Sequence, residues 1–355
     1  MKKSTVLLAA ASLAACGAAS AQSSVNLYGS IDQSVAHVSN QSGGTWNGLV
    51  GGTTQPDRIG LRGVEDLGGG MQANFWLEGG IAPQTGAQIN PTAFFNRNAT
   101  VGLAGGFGSL TLGNQGDLMF DWVGKTSNGY QLQNFFAFHP GNFDNLAETF
   151  AYNNAVRYNT PTWGGFTLGA EYGFNSAAVG APTNRNTSVG ANYLNGPLRV
   201  AAAWSEQNNR TLRGFAPFAA ATGLPATGAM SKVTNAGIGA TYRFTSFGVN
   251  AAYSQSKLEA GTVSATMRNL DLGLAYHLTP AATLNAGYTR SKLVSSSWNT
   301  YSLMLMYGFS KRTQAYVQGV FQQASQGQLA LLNGVGGPSS DSHQNIVGIG
   351  MHHSF

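Results

Sequence analysis

The stretch RIGLRG, residues 58–63, decides the fold class because basic and aliphatic side chains alternate strictly along it. Arg58 and Arg62 share one face, and the two aliphatic residues between them lie on the other. The segment MQANFWLE, residues 71–78, repeats this alternation. Successive side chains of a β-strand point to opposite faces of the sheet, so the pattern predicts strands with one apolar and one polar face.

The composition excludes several classes of protein. Charged residues make up only 9% of the 355 residues, whereas a soluble domain has about 25%. Aromatic residues reach 11%, there are 48 glycines, and the mean hydropathy is −0.09. No window approaches the roughly 18 consecutive apolar residues of a membrane helix. These values favour alternating strands over membrane helices or disorder.

The N-terminus has the layout of a secretory signal peptide. Two lysines are followed by an apolar run over residues 6–15 and by the small residues Ala19-Ser20-Ala21. We expect cleavage after Ala21, which leaves residues 22–355 as a single domain. The alternative is a lipoprotein in which Cys16 is lipidated and retained. Cleavage after Ala21 is favoured because it releases Gln22 just before the first strand.

The connections between the alternating segments take turns between short and long. The short ones, such as residues 195–197, hold the Gly, Pro, Asn or Ser of tight hairpins. The long ones include residues 39–57, 115–150, 259–265 and 292–296. Seven short and eight long connections join 16 strands, with an error of about two strands. No domain boundary appears.

The polar face of the strands indicates what surrounds them. A soluble β-sandwich covers its outer face with Lys, Glu and Asp, but here the polar face is mostly Gly, Ser, Asn, Gln and Thr. This composition fits a water-filled interior, with the apolar face toward lipid. Backbone groups in lipid are satisfied only when a sheet closes on itself. The sequence therefore predicts an all-β transmembrane antiparallel barrel of about 16 strands around an aqueous channel.

Several motifs in family order resemble the general porins of the Gram-negative outer membrane, in the beta-proteobacterial and neisserial branch. They are SSVNLYGSID, RIGLRGVEDLGGGMQANFWLE, FFNRNATVGLAGGFGSLTLGNQ, HPGNFDN, NAVRYNTP and a last strand ending in Phe355. The resemblance implies a 16-stranded barrel, a homotrimer, outer-membrane localisation and a third long loop folded into the lumen as a constriction. It also implies contact with membrane lipid and lipopolysaccharide. The barrel-assembly machinery would read the terminal Phe355 strand as an assembly signal.

The constriction loop would be about residues 115–150, the longest connection. By motif position, the resemblance implies facing groups of basic and acidic side chains that set up a transverse field across the pore. Asp144 and Glu148 could instead tether the loop to the wall. The predicted basic residues are Arg58, Arg62, Arg97 and Arg157, and the predicted acidic residues are Glu78, Asp117 and Asp121.

One departure from the family pattern lowers the expected anion preference. The family usually reads Gly-Arg-Gln at the end of the fifth strand, whereas this chain has Gly113-Asn114-Gln115. The missing arginine predicts a weaker field for anions.

We therefore predict a passive diffusion porin for small hydrophilic solutes and inorganic ions, with mild anion preference and without cofactor, metal or nucleic-acid partner. The histidines are not beside other ligands at metal spacing, and no phosphate-binding or nucleophile-elbow motif occurs. A substrate-specific outer-membrane channel is the alternative within the same class. A barrel enzyme or adhesin with a closed lumen is the alternative from another class.

Overall fold

The computed structural model describes residues 24–147, 150–174, 184–325 and 327–355. The predicted signal peptide, residues 1–21, and Glu148 lie outside the described residues. The strands are β1 (Ser24–Gln41), β2 (Gly44–Gly51), β3 (Arg58–Gly68), β4 (Met71–Ala82), β5 (Ala87–Gln88), β6 (Asn98–Gly105), β7 (Gly108–Gly116), β8 (Ala151–Asn159), β9 (Phe166–Gly173), β10 (Asn186–Asn195), β11 (Leu198–Thr211), β12 (Ala229–Arg243), β13 (Phe247–Ala260), β14 (Val263–His277), β15 (Ala282–Leu293), β16 (Ser296–Gly308), β17 (Thr313–Ala324) and β18 (His343–Ser354).

Sixteen antiparallel strand positions close into one barrel, as the sequence predicts. β2 and β3 together occupy the second position, since both pair with β1. The two-residue β5 pairs only with β4 and adds no position to the wall. β18 returns to β1 in a continuous register from Ser30↔Ser354 to Val38↔Ile346. Among the described residues, no helix is long and apolar enough to cross a membrane.

The two faces of the wall differ as the alternation predicts. Inward-facing positions such as Ser254, Asn269 and Thr289 are buried and polar. Outward-facing aliphatic side chains are exposed, with Leu272 at 49% and Ile349 at 61%. A continuous apolar exterior of this kind is a surface for lipid or for another membrane protein.

Three predicted long connections are largely strand. Within residues 39–57, β1 and β2 form a hairpin around Ser42 and Gly43. Tight turns at residues 261–262 and 294–295 replace the predicted loops at 259–265 and 292–296. These strands extend beyond the lipid-facing band, where the outer face is polar and the apolar side chains, such as Leu258 and Leu293, point inward. Their composition therefore resembles that of loops although their backbone remains paired.

Two short helices lie in the long connections, α1 (Asn128–Gln131) and α2 (Ala216–Thr222). The apolar core of the molecule lies inside the long-loop end of the barrel. There Phe218 of α2 packs against Phe143 and Trp298, with ring centroids 5.0 and 5.5 Å apart. The connection that contains Phe143 therefore packs toward the wall formed by the later strands.

Closure of the sheet predicts a specific pattern of amide hydrogen exchange. The β1–β18 seam contains nine residue pairs, and Phe355 and Gly29 exchange two backbone hydrogen bonds of 3.1 Å. Because paired amides exchange only through opening, segments 30–38 and 346–354 should be as protected as the β15–β16 hairpin. The measurement is exchange mass spectrometry of the folded protein in detergent. Rapid exchange confined to the seam would show an open sheet.

Candidate pore constriction

The connection between β7 and β8 folds inward and lies along the inner wall. It contains a π-helical turn (Met119–Val123), 3-10 turns (Gly124–Thr126, Phe135–Ala137 and Pro140–Asn142) and α1. Leu118, Met119 and Leu146 are fully buried, and they pack with Ala203 of β11. We call residues 117–150 the constriction loop.

Glycines on the inner wall allow this close approach. A Cβ on Gly239 would lie 1.9 Å from Thr126 Oγ1, and a Cβ on Gly287 would lie 2.3 Å from Leu132 Cδ1. Any side chain at these positions would displace the loop into the lumen. The wall therefore has no side chain at these two positions, where the loop lies against it.

Asn128 anchors the middle of the loop to three strands. Its backbone N–H donates to Asp271 Oδ2 at 3.0 Å, and its amide Nδ2 donates to Tyr288 O at 2.9 Å and Thr289 Oγ1 at 3.0 Å. Its Oδ1 accepts from Asn250 at 2.9 Å. A buried amide with all these partners fixes both the position and the orientation of α1.

A buried charged group anchors the second half of the loop. His139 Nδ1 lies 2.6 Å from Asp144 Oδ2, and its Nε2 lies 3.1 Å from Asp271 Oδ1 on β14. Asp144 also accepts from Ser254 at 2.5 Å and Asn269 at 3.1 Å. Burial opposes protonation, but the two carboxylates outweigh it and raise the pKa of His139 to about 10. Asp144 thus lies in the position of a wall tether, and sequence reasoning missed His139.

An interruption of the wall provides a further anchor. The backbone N–H groups of Thr54 and Gln55, which lie between β2 and β3, donate to the Asp32 carboxylate of β1 at 2.6 and 3.2 Å. The carbonyl of Thr53, no longer paired in the sheet, accepts from Phe135 N at 2.8 Å. The broken strand therefore holds the loop from the opposite side of the barrel.

Arg157 and Asp117 lie away from the lumen, which differs from their predicted positions. Arg157 is 8% exposed and pairs with Glu171 at 2.7 Å, with Asp121 and with the carbonyl of Gly116. Asp117 is fully buried and accepts from Phe120 N at 3.0 Å and Asn145 Nδ2 at 3.1 Å, and burial raises its pKa to about 6. Both side chains hold the first turn of the loop. Motif position could not show this, because Glu171 comes from the neighbouring strand.

The predicted residues that the structure brings together lie on β3, on β4 and just before β6. Glu78 Oε1 lies 2.6 Å from Arg97 Nε, and Glu78 Oε2 lies 3.5 Å from Arg58 Nε. Tyr28 donates to Glu78 at 2.6 Å. The side chains of Arg58 and Arg97 are 25% and 14% exposed, whereas that of Glu78 is 3% exposed. The carboxylate is thus enclosed, and the guanidiniums border the open space.

Arg62 is the most accessible cation of this group. Its guanidinium carbon lies 4.6 Å from the Tyr28 ring centroid and 4.0 Å from that of Trp76. Aromatic faces attract cations, so the two rings hold the guanidinium in place without neutralising its charge. Asn114, where the family usually has arginine, donates to Phe95 O at 3.3 Å. We call Arg58, Arg62, Arg97 and Glu78 the basic wall.

The His139 tether predicts a pH-dependent stability. Its folded pKa of about 10 exceeds the ordinary value of 6.5, so its contribution is complete below pH 6.5 and is lost as the pH rises through about 10. His139→Gln should cost on the order of 3 kcal/mol below neutral pH, because it leaves Asp271 and Asp144 without their cation. The measurement is the apparent thermal midpoint of both proteins across this pH range.

The exposed His277 provides the control. His277→Gln should leave the midpoint unchanged over the same range, since this ring hydrogen-bonds only to Thr283 at the surface among the described residues. A pH-independent difference between wild type and His139→Gln would contradict the charged tether.

Three comparisons identify relatives of this barrel. A family model described as Gram-negative porin matches residues 7–327. Outer membrane porin protein 32 of Delftia acidovorans is 31% identical over 374 residues, and major outer membrane protein P.IB of Neisseria meningitidis serogroup B is 26% identical over 373 residues; both alignments cover 100% of each chain. The structure of an anion-selective porin from Comamonas acidovorans matches with a TM-score of 0.80 and 26% identity, covering 94% of this chain and 100% of that one. The chain therefore belongs to the Gram-negative porins, which are outer-membrane channels and not enzymes.

Proposed function

We propose that the protein is a passive general diffusion pore for small hydrophilic solutes and inorganic ions, with a mild preference for anions. The basic wall is the observation that carries this proposal. Three guanidiniums and one carboxylate give 3 − 1 = +2 on the side of the lumen that faces the constriction loop. Arginine stays charged at every relevant pH, so this charge is permanent.

The constriction loop contributes little opposing charge. Asp117 and Asp144 are buried and hydrogen-bonded. The side chain of Asp121 is 27% exposed and pairs with Arg157. The field across the lumen therefore comes mainly from the basic wall. A positive wall in a narrow aqueous passage raises the local concentration of anions and lowers their barrier.

Two features make this preference mild. Glu78 neutralises part of the basic wall at contact distance, and Asn114 provides no charge where the family usually has arginine. The similar porin from Comamonas acidovorans is anion-selective, which agrees in sign with this proposal. No energy source or cofactor is required for diffusion through such a lumen.

The partners of the pore belong to the same proposal. The outer faces of β1 and β18 expose Leu27, Val35, Ile349 and Met351 without an intervening Lys, Arg, Asp or Glu. An apolar face of this kind supports the homotrimer that the family resemblance implies. Phe355, at the β1–β18 seam, remains our candidate for the assembly signal.

Planar bilayers test the function directly. The purified protein should give stepwise currents whose conductance rises in proportion to the salt concentration. In a salt gradient, the sign of the zero-current potential should show that anions permeate more readily than cations. A closed barrel would give no current. A substrate-specific channel would be blocked by its solute at low concentration.

Arg62→Gln tests the charge assignment. Removing one exposed cation a few Å from the path of the ions should lower the anion-to-cation permeability ratio about fivefold, since such a charge contributes on the order of 1 kcal/mol in water. Lys257→Gln is the matched control, because it removes one cation from the outer wall. Equal permeability ratios in Arg62→Gln and Lys257→Gln would exclude the basic wall as the source of selectivity.

A further inference from the structure

A band of buried polar side chains lies between the constriction loop and the inner wall of the barrel. Asn235 of β12 faces Ser256 of β13 in the register, and Ser254 of β13 faces Asn269 of β14. These four residues and Asp144 of the constriction loop are each at most 2% exposed. Asp144 accepts hydrogen bonds from Ser254 at 2.5 Å and from Asn269 at 3.1 Å. We call these five residues the polar band.

Apolar side chains enclose the polar band along the barrel axis. Toward the long-loop end, Val233 and Leu258 occupy the next inward-facing positions of β12 and β13 and belong to the apolar core. Toward the short-loop end, the next inward-facing position of β12 is Gly237. A Cβ there would lie 3.0 Å from both Met119 and Val123 of the constriction loop. The polar band is therefore separated from bulk water, and its polar atoms need partners within the enclosure.

Four oxygen atoms of the polar band form no hydrogen bond with any described residue. They are Asp144 Oδ1, Asn235 Oδ1, Ser256 Oγ and Asn269 Oδ1. Asn235 Nδ2 also has no partner in the part of the chain that the structure describes, so either end of this amide can turn toward a ligand. Buried polar groups in native proteins are almost always paired. A group of unpaired oxygens at neighbouring positions therefore indicates a bound species.

The unpaired oxygens lie at neighbouring positions of the wall and the loop. Side chains of facing residues on adjacent strands are about 5 Å apart, which applies to Asn235 and Ser256. Ser256 lies two residues from Ser254 on the same face, or about 7 Å along the strand. The hydrogen bonds from Ser254 and Asn269 place the Asp144 carboxylate over this corner of the wall. A small ion beside Asp144 Oδ1 would therefore meet oxygens from the loop and from β12, β13 and β14.

The buried charges around the polar band favour a cation. The positively charged His139 lies between Asp144 and Asp271, which gives this group a net charge of 1 − 2 = −1. Neither carboxylate forms an ion pair with a described Lys or Arg. Arg210 is also buried nearby, but Asp117 is the carboxylate with which it interacts most strongly. Because an uncompensated buried charge is costly, a monovalent cation fits better than water, which adds no charge, or a divalent ion, which reverses the sign.

We propose that the polar band binds one alkali-metal cation between the constriction loop and the wall. Asp144 Oδ1, Asn235 Oδ1, Ser256 Oγ and Asn269 Oδ1 supply its ligands, which are hard oxygens of the kind that hard cations prefer. The ion joins the loop to three strands and thereby helps to fix the width of the constriction. The proposal rests on the fold and is independent of whether the lumen conducts. It departs from our expectation of a chain without metal, because ligands from separate strands have no spacing signature in the sequence.

Ion-specific stability tests the proposal in the mature protein folded in detergent. The apparent thermal midpoint should be higher in NaCl or KCl than in choline chloride of equal ionic strength, because choline is too large for an enclosed site. This increment should saturate with the concentration of the alkali cation. Asn235→Leu removes one ligand and both unpaired ends of its amide, so the increment should be lost. Asn285→Leu is the matched control, since the Asn285 amide donates directly to Leu132 O of the same loop at 3.0 Å, and this variant should keep the increment whatever its own midpoint.

Anomalous diffraction tests the site without any substitution. Crystals of the wild-type protein grown with RbCl in place of NaCl should show one rubidium peak in contact with Asp144 and Asn235, and crystals of Asn235→Leu should lack it. The proposal is overturned if the wild-type midpoint depends only on ionic strength, if Asn235→Leu keeps the increment, or if only ordered water occupies the polar band in the rubidium crystals. Stepwise bilayer currents from the wild type and from Asn235→Leu would show that such a failure leaves the proposed pore function intact.

Discussion

The whole structure depends on one constraint, the need to pair every backbone polar group within a medium that offers no water. A closed sheet satisfies this constraint by pairing β18 with β1. The side chains alone then determine whether each face of the sheet contacts lipid or water. The alternation of the strands then fixes an apolar exterior and a polar lumen together. A slip of one residue in any strand would exchange its two faces.

The lumen is narrowed by a loop whose polar groups hydrogen-bond to the wall and hold the loop in place. Asn128, His139 and Asp144 bind the later strands, and Phe135 binds the interrupted second position of the wall. Because the loop is anchored on both sides, it does not readily move in response to the electric field of the permeating ions. Its charges act in the architecture of the pore, and the proposed selectivity therefore rests on the basic wall.

The sequence predicted the barrel because alternation and turn residues are local signals. It counted sixteen strands but placed loops over residues 259–265 and 292–296, since beyond the lipid the outer face becomes polar and the apolar residues move to the inner face. It found Arg58 and Arg97 but could not see that Arg157 would be enclosed by Glu171. Long-range partners of this kind have no local signature. His139 had none either, because both of its carboxylates are supplied by folding.

The apolar exterior and wet lumen can be measured through single cysteines, because the only natural cysteine, Cys16, lies in the predicted signal peptide. Asn74 faces inward on β4 and the adjacent Phe75 faces outward. In protein reconstituted into lipid vesicles, Asn74→Cys should react readily with a water-soluble maleimide, and Phe75→Cys should be protected by lipid. Equal reaction at both positions, or reaction at Phe75→Cys alone, would contradict the account.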